Sequence, residues 1–206
     1  MSKTTPESVK DIFKALQLLN NFNHIKRTGA NLCAGVPHYM TPSLAEHSYR
    51  VTYLALIFSK FIKNANTENI LKYCLIHDWG ESVINDVPTS SKSFKSYFEE
   101  DIRIVYKMAE LKALGEILTD VNLDMPILTE EEKQLCNFCD TLELVFELID
   151  LKQMGMKHLW LEKMFKVQSH LLSEYDFEFA EDVVKNIEQL YEQGGMVNDY
   201  LARSDI

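Results

Sequence analysis

Residues 43–62 read SLAEHSYRVTYLALIFSKFI, and this stretch carries the clearest helical pattern of the chain. Ser43 and Glu46 form a capping box, in which each side chain accepts a hydrogen bond from the other residue's backbone amide at the start of a helix. The apolar residues behind it recur at helical spacing and predict one buried stripe: Leu44, Val51, Leu54, Ala55, Phe58, Phe61 and Ile62. His47 lies on this stripe, three residues after Leu44. The stretch therefore predicts a core-facing helix that carries one imidazole toward the interior.

The same periodicity covers most of the chain. Predicted helices run over 6–20, from Asn66 or Thr67 to about 79, over 90–118 (one helix, or two broken near Gly115), from a second capping box at Thr129 to about 149, over 155–173 and over 177–193. Residues 21–42 are rich in glycine and proline and are interpreted as loop, and 81–87 as a short segment before Pro88. No window alternates with the period of two that marks a strand. We therefore expect an all-α fold in a single domain over residues 1–206, with its core at about 11–191 and a tail after about 195.

The composition narrows the class of protein. The 206 residues are 46% hydrophobic, which is enough for a full core, and 21 basic against 31 acidic residues give a net charge of −10. Such a charge repels polyanions, so we expect no nucleic-acid polymer as a partner. No apolar run reaches the roughly 18 residues that span a bilayer, and residues 1–7 lack the apolar stretch of a secretory signal. With four cysteines that are typical of reduced thiols, these features predict a cytoplasmic protein without a membrane partner.

Polar residues interrupt the apolar stripes at three places. His47 is the first, and Asp78, four residues after Cys74, is the second, with His77 beside it at the end of the next helix. Asp140 is the third, on a later amphipathic helix. A buried carboxylate is costly unless it pairs with a cation, accepts hydrogen bonds or binds a metal. Taken alone, each of these residues is more commonly a buried residue whose hydrogen bonds are made within the core, or part of a solvent-exposed helix face. Only the whole pattern favours a metal site.

Two imidazoles and two carboxylates from three helices would form a mixed nitrogen and oxygen site for a divalent metal. The imidazoles supply affinity, and the carboxylates offset the charge of the ion. Such an ion can polarise a phosphoryl oxygen and lower the pKa of a bound water. We expect one divalent ion, which can be Mn, Co, Fe, Ni, Zn or Mg, because the donor types do not select among them.

The order His47, His77-Asp78, Asp140 resembles the metal signature of the HD-domain phosphohydrolase superfamily. A narrower resemblance, to the YfbR-like 5'-deoxynucleotidases, rests on four stretches: SLAEHS (43–48), IHDWGESVINDVP (76–88), Arg27-Thr28-Gly29 and CDTLEL (139–144). The run His-Asp-x-x-Glu-x-x-x-x-Asp-x-Pro is the most specific of these motifs. The resemblance covers about residues 11–191.

The resemblance implies an all-helical HD domain, usually dimeric, that converts deoxyribonucleoside 5'-monophosphates to deoxynucleosides and phosphate with a divalent metal. Position by position it implies the site residues: His47, His77, Asp78 and Asp140 as metal ligands, Glu81 and Asp86 as catalytic carboxylates, and Arg27 and Lys92 as substrate contacts. A small-molecule nucleotide and a second copy of the chain are the partners that follow from it.

Side-chain chemistry supports these roles independently. Glu81 follows His77 by one helical turn, so its carboxylate can approach water at the same ion and act as a general acid or base. Arg27 offers a planar fork suited to phosphate. Asp86 precedes Val87-Pro88, whose turn can aim it at the site. The alternative for Asp86 is that it only caps or orients this turn.

The sequence departs from the family pattern around the expected substrate. Thr28 and Ala30 stand where many members have tryptophan, and the stretch from Arg27 to His47 is longer than usual. Asn85 replaces a common glycine before Asp86. These changes lie where the sugar and base would be held, so they bear on substrate preference more than on hydrolysis.

Other functions remain open at this stage. A deoxynucleoside triphosphohydrolase or another HD phosphodiesterase would need more basic residues near the site than Arg27, Lys92, Lys95 and Arg103. A catalytically silent HD module that binds a nucleotide is a further alternative, against which the complete ligand set and Glu81 argue. The lone Cys136-x-x-Cys139 would need two more ligands to hold zinc, and its apolar setting favours buried thiols.

Overall fold

A computed structural model describes residues 6–87 and 102–193, and the regular elements within these ranges are helices. They are α1 (Pro6–Asn20), α2 (Gly29–Ala34), α3 (Leu44–Phe58), α4 (Thr67–Ile76), α5 (Glu81–Ile84), α6 (Ile102–Val121), α7 (Glu130–Gln153), α8 (Leu159–Ser173) and α9 (Ala180–Glu192). Single turns of 3-10 helix lie at Asn21–Asn23, His38–Met40 and Ser59–Phe61. The all-α prediction is confirmed. None of the described helices combines the length and the apolar content that a bilayer crossing requires.

The helix boundaries differ from the predicted ones at α2 and at α8. The short helix α2 lies inside the predicted loop, because six residues are too few to show a period, and Gly35 ends it at a φ of 66°. Helix α6 passes Gly115 without a break, which is one of the two predicted alternatives. Helix α8 begins at Leu159 rather than near 155, because Gly155, at a φ of 87°, closes the end of α7 with a Schellman pair of backbone hydrogen bonds. Residues 88–101 and 194–206, which include the predicted start of the long helix and the predicted tail, lie outside the described residues.

Side-chain caps fix where the helices around the site begin. The Ser43 amide donates to Glu46 Oε2 at 2.6 Å and the Glu46 amide donates to Ser43 Oγ at 3.2 Å, so the predicted capping box of α3 is confirmed. Asn66 caps α4 through the amide of Asn69 at 3.1 Å. The second predicted box is also present at the start of α7, where Glu132 Oε2 accepts the Thr129 amide at 2.7 Å. Each cap contributes about 1 kcal/mol to its helix.

The contacts divide the chain into two compact units, residues 1–139 and 140–206. In the first unit α3 packs on α4, and α6 packs on α1 and α5. Ile76, at the end of α4, forms a buried cluster with Leu114 and Leu118 of α6, and Trp79 packs against it. Burying side chains of this size contributes about 1.5–3 kcal/mol each. The cluster therefore holds the segment after α4 against α6.

The second unit has its own packing. Helix α8 packs on α9, and Phe165 of α8 stacks on Tyr191 of α9 with ring centroids 3.7 Å apart. Lys152 lies 3.5 Å from the centroid of the Tyr191 ring, and its ammonium donates to the Tyr191 carbonyl at 2.6 Å. The expectation of a single domain over residues 1–206 stays a prediction.

Gly80 is the point where the chain after α4 comes closest to α6. A Cβ at this position would overlap the Glu110 carbonyl oxygen and lie 3.2 Å from Glu110 Cγ. Gly80 itself is buried and has a φ of −57°, so close approach, not an unusual backbone angle, requires the glycine. The absence of a side chain here lets the residues between α4 and α5 lie directly on α6.

Gly80→Ala is therefore expected to lower the free energy of unfolding by about 1–3 kcal/mol, the usual cost of forcing a methyl group into packed structure. Gly115→Ala is the matched control on α6, since a Cβ there meets no atom within 4 Å. Alanine favours a helix over glycine, so the control should stabilise the protein by about 0.5–1 kcal/mol. Urea unfolding followed by circular dichroism measures both, and equal effects of the two substitutions would contradict the close approach.

Candidate metal centre

The candidate centre lies where α4 ends and a short turn leads to α5. Helix α4 stops at Ile76, residues 77–80 form the turn, and α5 begins at Glu81. His77 and Asp78 belong to this turn, which we call the HD turn. The sequence predicted the end of α4 at about residue 79 and a separate short segment from 81; α4 ends three residues earlier, at Ile76, and the short helix α5 lies in the predicted segment.

Three predicted ligands come together here. His47 projects from α3 and is completely buried, while the side chains of His77 and Asp78 are only 16% and 14% exposed. Asp78 Oδ2 lies 3.5 Å from His47 Nε2 and 3.3 Å from His77 Nε2, and the two imidazole centroids are 5.9 Å apart. One donor atom from each residue lies within 4.8 Å of the others. This is the group with metal-ligand spacing among the described residues.

The backbone prepares the His77 ring for a metal. Its Nδ1 lies 2.8 Å from the carbonyl oxygen of Cys74, and because a carbonyl can only accept, Nδ1 must carry the hydrogen. The neutral ring then presents the lone pair of Nε2, which is buried and has no hydrogen bond in the described structure. Tyr73, one turn earlier on α4, stacks on the ring at 6.1 Å and an angle of 18°. A carbonyl that fixes the other nitrogen in this way is a common support for a metal-ligating histidine.

Glu81 is the next acidic group along the chain, and it is buried. Its amide donates to the Asp78 carbonyl at 2.9 Å, and its Oε2 has no hydrogen bond in the described structure. Burial raises the pKa of Glu81 to about 9, and the negative charges of Asp78 and Asp86 add to the shift. The positive charge of Arg27 acts in the opposite direction. Glu81 is therefore close enough to Arg27 and Asp86 for their charges to act on its carboxyl group.

Asp86 binds the segment that carries Arg27. Its Oδ2 accepts the Thr28 amide at 2.5 Å and the Thr28 hydroxyl at 2.9 Å. The preceding Asn85 has φ 65° and ψ 166°, a conformation that is essentially confined to glycine and costs about 1–3 kcal/mol in other residues. This explains why the family pattern has glycine at that position. The turn therefore aims Asp86 at Thr28, and the bond fixes the residue next to Arg27.

Two further predicted site residues, Asp140 and Lys92, stay predictions. Asp140 lies on α7 as the first residue of the second unit, and it is partly buried. Its role as the fourth ligand stays a prediction. Lys92 lies outside the described residues, as does Lys95. Cys136 and Cys139 are both buried, as expected for structural thiols, and they are not part of a metal-ligand group among the described residues.

Sequence reasoning missed two residues of α6 beside the HD turn. Glu110 is buried against Gly80, and its Oε1 is 2.5 Å from Lys107 Nζ. The charge of Glu110 acts on Glu81, and that of Asp78 acts on Lys107. An ion pair three residues apart on a helix is a common surface feature, so no sequence signal distinguishes this one.

A cavity of about 610 Å³ opens beside α5. It is lined by Asn21, His24, Ile25, Lys26, Thr28, His38, Ser82, Val83 and Asn85. Thr28 and Asn85 flank the Asp86 contact, and Ser82 follows Glu81, so the cavity borders the candidate site on one side. Its volume is within the range that small-molecule ligands occupy.

Comparison with known proteins gives consistent results. The 5'-deoxynucleotidase YfbR of Shigella boydii is 27% identical over 135 residues, which cover 60% of this chain and 68% of that protein. A conserved hypothetical protein from Pyrococcus furiosus superposes with a TM-score of 0.66 at 26% identity, over 86% of this chain and 99% of that one. An HD phosphohydrolase of cyanophage S-2L, bound to dA and one catalytic Zn²⁺ ion, has a TM-score of 0.55 at 17% identity, over 94% of this chain and 97% of that one.

The family model described as HD domain matches residues 20–175, most of the chain. The matched range contains the three converged residues and the turn that holds two of them. The predicted resemblance is confirmed, and this chain belongs to the HD-domain family of phosphohydrolases.

Proposed function

We propose that the protein is a metal-dependent phosphomonoesterase that hydrolyses deoxyribonucleoside 5'-monophosphates to a deoxynucleoside and phosphate. The observation that carries this proposal is the buried convergence of His47, His77 and Asp78, with the buried Glu81 carboxyl next to it. The name of the YfbR relative supports the choice of a nucleotide monoester as substrate.

The donor set fits a divalent ion. His77 Nε2 is a buried lone pair without a hydrogen bond, and Asp78 supplies negative charge between the two imidazoles. In this proposal His47, His77 and Asp78 hold the ion, with Asp140 as the fourth ligand. Such an ion polarises a phosphoryl oxygen and lowers the pKa of a water molecule. The Zn²⁺ in the cyanophage relative supports zinc among the candidate metals Mn, Co, Fe, Ni, Zn and Mg.

Glu81 carries the proton in this proposal. Hydrolysis requires water to form a bond to phosphorus and lose a proton, while the bond from phosphorus to the 5'-oxygen breaks and that oxygen gains a proton. Glu81 can take the first proton or supply the second, because its carboxyl is buried beside the ligands and Oε2 is free of hydrogen bonds. Positioned proton transfer of this kind contributes about 10²–10⁴-fold to a rate.

Arg27 and Asp86 act on the substrate side in this proposal. The Arg27 guanidinium suits the phosphate, because its planar fork can donate two parallel hydrogen bonds. Asp86 uses Oδ2 to hold Thr28, so it positions Arg27 in addition to placing negative charge beside Glu81. The adjoining cavity has room for a nucleoside. Lys92 stays a proposed substrate contact.

The expected setting of the enzyme is also part of the proposal. None of the four cysteines forms a disulfide, which fits the reducing, cytoplasmic compartment predicted from the sequence. A homodimer that acts on a small nucleotide completes the proposal.

The proposed activity predicts release of inorganic phosphate from deoxyribonucleoside 5'-monophosphates. The assay supplies the eight common nucleoside monophosphates in turn, each with Mn²⁺, Co²⁺, Zn²⁺ or Mg²⁺, and measures phosphate colorimetrically. Deoxynucleoside triphosphates and bis(p-nitrophenyl) phosphate serve as comparison substrates. Preferential release of tripolyphosphate, or cleavage of the diester, would replace the proposal with one of its HD-enzyme alternatives. Turnover of none of these substrates would favour a silent nucleotide-binding module.

Asp78→Asn is expected to weaken metal binding by more than about 100-fold, because losing a ligand costs more than losing one of its supporting contacts. Metal content after dialysis and calorimetric titration measure the loss. Asp124→Asn, at an exposed aspartate, is the matched control. Retention of full metal content by Asp78→Asn would remove Asp78 from the ligand set, and Asp140→Asn tests the fourth ligand in the same assay.

Glu81→Gln is expected to keep the bound metal and reduce kcat by about 10²–10⁴-fold, because the amide has the same shape but cannot exchange the proton. Glu116→Gln, at an exposed glutamate of α6, is the control and should leave kcat unchanged. Metal content and kcat are measured on the same samples. Unaltered kcat in Glu81→Gln would assign the proton transfer to another group.

The same variant has a second readout in metal-free protein. Because the folded-state pKa of Glu81 is raised to about 9 from an ordinary value of 4.5, the folded protein binds one more proton than the unfolded chain between these pH values. Wild-type stability should therefore fall as pH rises through this window, by up to roughly 3 kcal/mol between pH 5 and 7.5. Glu81→Gln lacks this loss, so its stability relative to wild type should increase with pH, whereas a constant difference would contradict the burial of the carboxyl.

A further inference from the structure

Negative charge accumulates around the HD turn. Asp78, Asp86 and Glu110 all act on Glu81 to disfavour its ionised form, and the positive charge of Arg27 opposes them. A phosphate monoester brings nearly two further negative charges at neutral pH. A site that accepts such a substrate therefore needs positive charge beyond Arg27 and the metal.

Lys107 supplies a second cation near the turn, and it projects from α6 rather than from the segment that carries Arg27. Its position follows from two contacts. Glu110 lies against Gly80, with its Cγ 3.2 Å from where a Gly80 Cβ would be, and Lys107 Nζ lies 2.5 Å from Glu110 Oε1. Gly80 is two residues from Asp78, so these contacts place the ammonium beside the HD turn.

The environment keeps Lys107 charged and accessible. Burial lowers the pKa of Lys107, but the hydrogen bond and charge of Glu110, with further contributions from Asp78 and Tyr73, outweigh burial and raise it. The Lys107 side chain is 60% exposed, whereas that of Glu110 is only 9% exposed. Glu110 thus anchors an ammonium group that a ligand in solution can reach.

We propose that Lys107 is a substrate-binding residue that contacts the phosphate group of the nucleotide, from the α6 side of the HD turn. This inference rests on the proposed function, because it assigns a phosphate monoester to the same site. Lys107 and Arg27 then bracket the phosphate with two cations from separate elements. An ammonium is suited to this task because it can turn its three donors toward phosphate oxygens while keeping its bond to Glu110.

The competing interpretation is structural. Lys107 would then only neutralise the buried Glu110 carboxylate, and its loss would act through an uncompensated charge. The two interpretations differ in one consequence. If Lys107 is only structural, neutralising Glu110 removes the effect of losing Lys107, because no buried charge is then left uncompensated. If Lys107 contacts phosphate, neutralising Glu110 does not restore the lost contact.

The test measures binding of inorganic phosphate to the metal-loaded protein by calorimetric titration. Lys107→Met is expected to weaken phosphate binding by about 10- to 100-fold, the usual effect of losing a charged hydrogen bond. It should also raise KM for the best monophosphate more than it lowers kcat. Lys107→Arg should retain most of the affinity, and Lys112→Met, at an exposed lysine of the same helix, should retain all of it. Wild-type affinity in Lys107→Met would overturn the assignment.

Glu110→Gln separates the two interpretations. Phosphate affinity is compared between the single variant Glu110→Gln and the double variant Glu110→Gln, Lys107→Met. The proposal expects Lys107→Met to cause the same loss of affinity here as it causes in the wild-type protein. A loss that disappears when Glu110 is neutral would overturn the proposal and leave Lys107 a structural role. Thermal unfolding of each variant verifies folding, and Lys107→Gln replaces Lys107→Met if the methionine variant does not fold.

The outcome is distinguishable from failure of the proposed function. If the wild type hydrolyses no nucleoside monophosphate, the enzymatic proposal fails, yet the phosphate titration still decides the role of Lys107. Phosphate binding that depends on Lys107 supports the assignment. Absence of phosphate binding by the wild type, or binding that does not depend on Lys107, overturns it.

Discussion

Asp78 brings a largely buried carboxylate between two imidazoles, and the surrounding structure has to compensate for it. Its Oδ2 is within 3.5 Å of the Nε2 atoms of both His47 and His77. The Cys74 carbonyl commits one nitrogen of His77, so the nitrogen that faces Asp78 carries a lone pair rather than a proton when the ring is neutral. A lone pair of His77 that faces a carboxylate in a largely buried space is unfavourable unless a cation lies between them. This constraint explains why a metal-binding family has this arrangement of residues.

Helix α6 provides the surface against which the HD turn packs. Ile76 and Trp79 flank the HD turn and pack on Leu114 and Leu118, while Gly80 brings the backbone directly onto Glu110. The same contact has an electrostatic consequence. It buries the Glu110 carboxylate close to Glu81, and Lys107 balances it with a charge that remains partly in solvent. Packing and charge are therefore coupled at this turn, since the glycine that permits the close approach also places an ion pair beside the candidate centre.

The sequence was sufficient for those features that depend on near neighbours. Both capping boxes, at Ser43 and at Thr129, form as their spacing predicts, because a cap involves residues only three apart. Helix α1 has its predicted bounds, and His47 is buried as its place on an apolar stripe requires. The errors also have local causes. Helix α2 was too short to show a period, and nothing in the sequence shows that Gly80 faces a neighbouring backbone.

The amino-acid sequence by itself determined the helical class, the starts of the two helices with capping boxes, the family and the identity of the metal-ligand candidates, because periodicity, caps and a spaced motif are properties of the chain alone. Tertiary structure decided which side chains meet. It joined His47 of α3 to the HD turn, tied Asp86 to Thr28 across 58 positions, and placed the Lys107 and Glu110 pair beside Gly80. These contacts arise from how closely helices pack, and packing distance depends on the side chains of both partners. A sequence pattern describes one helix at a time and does not show which helix packs against it. The charge balance of the site could therefore not be predicted before the fold was known.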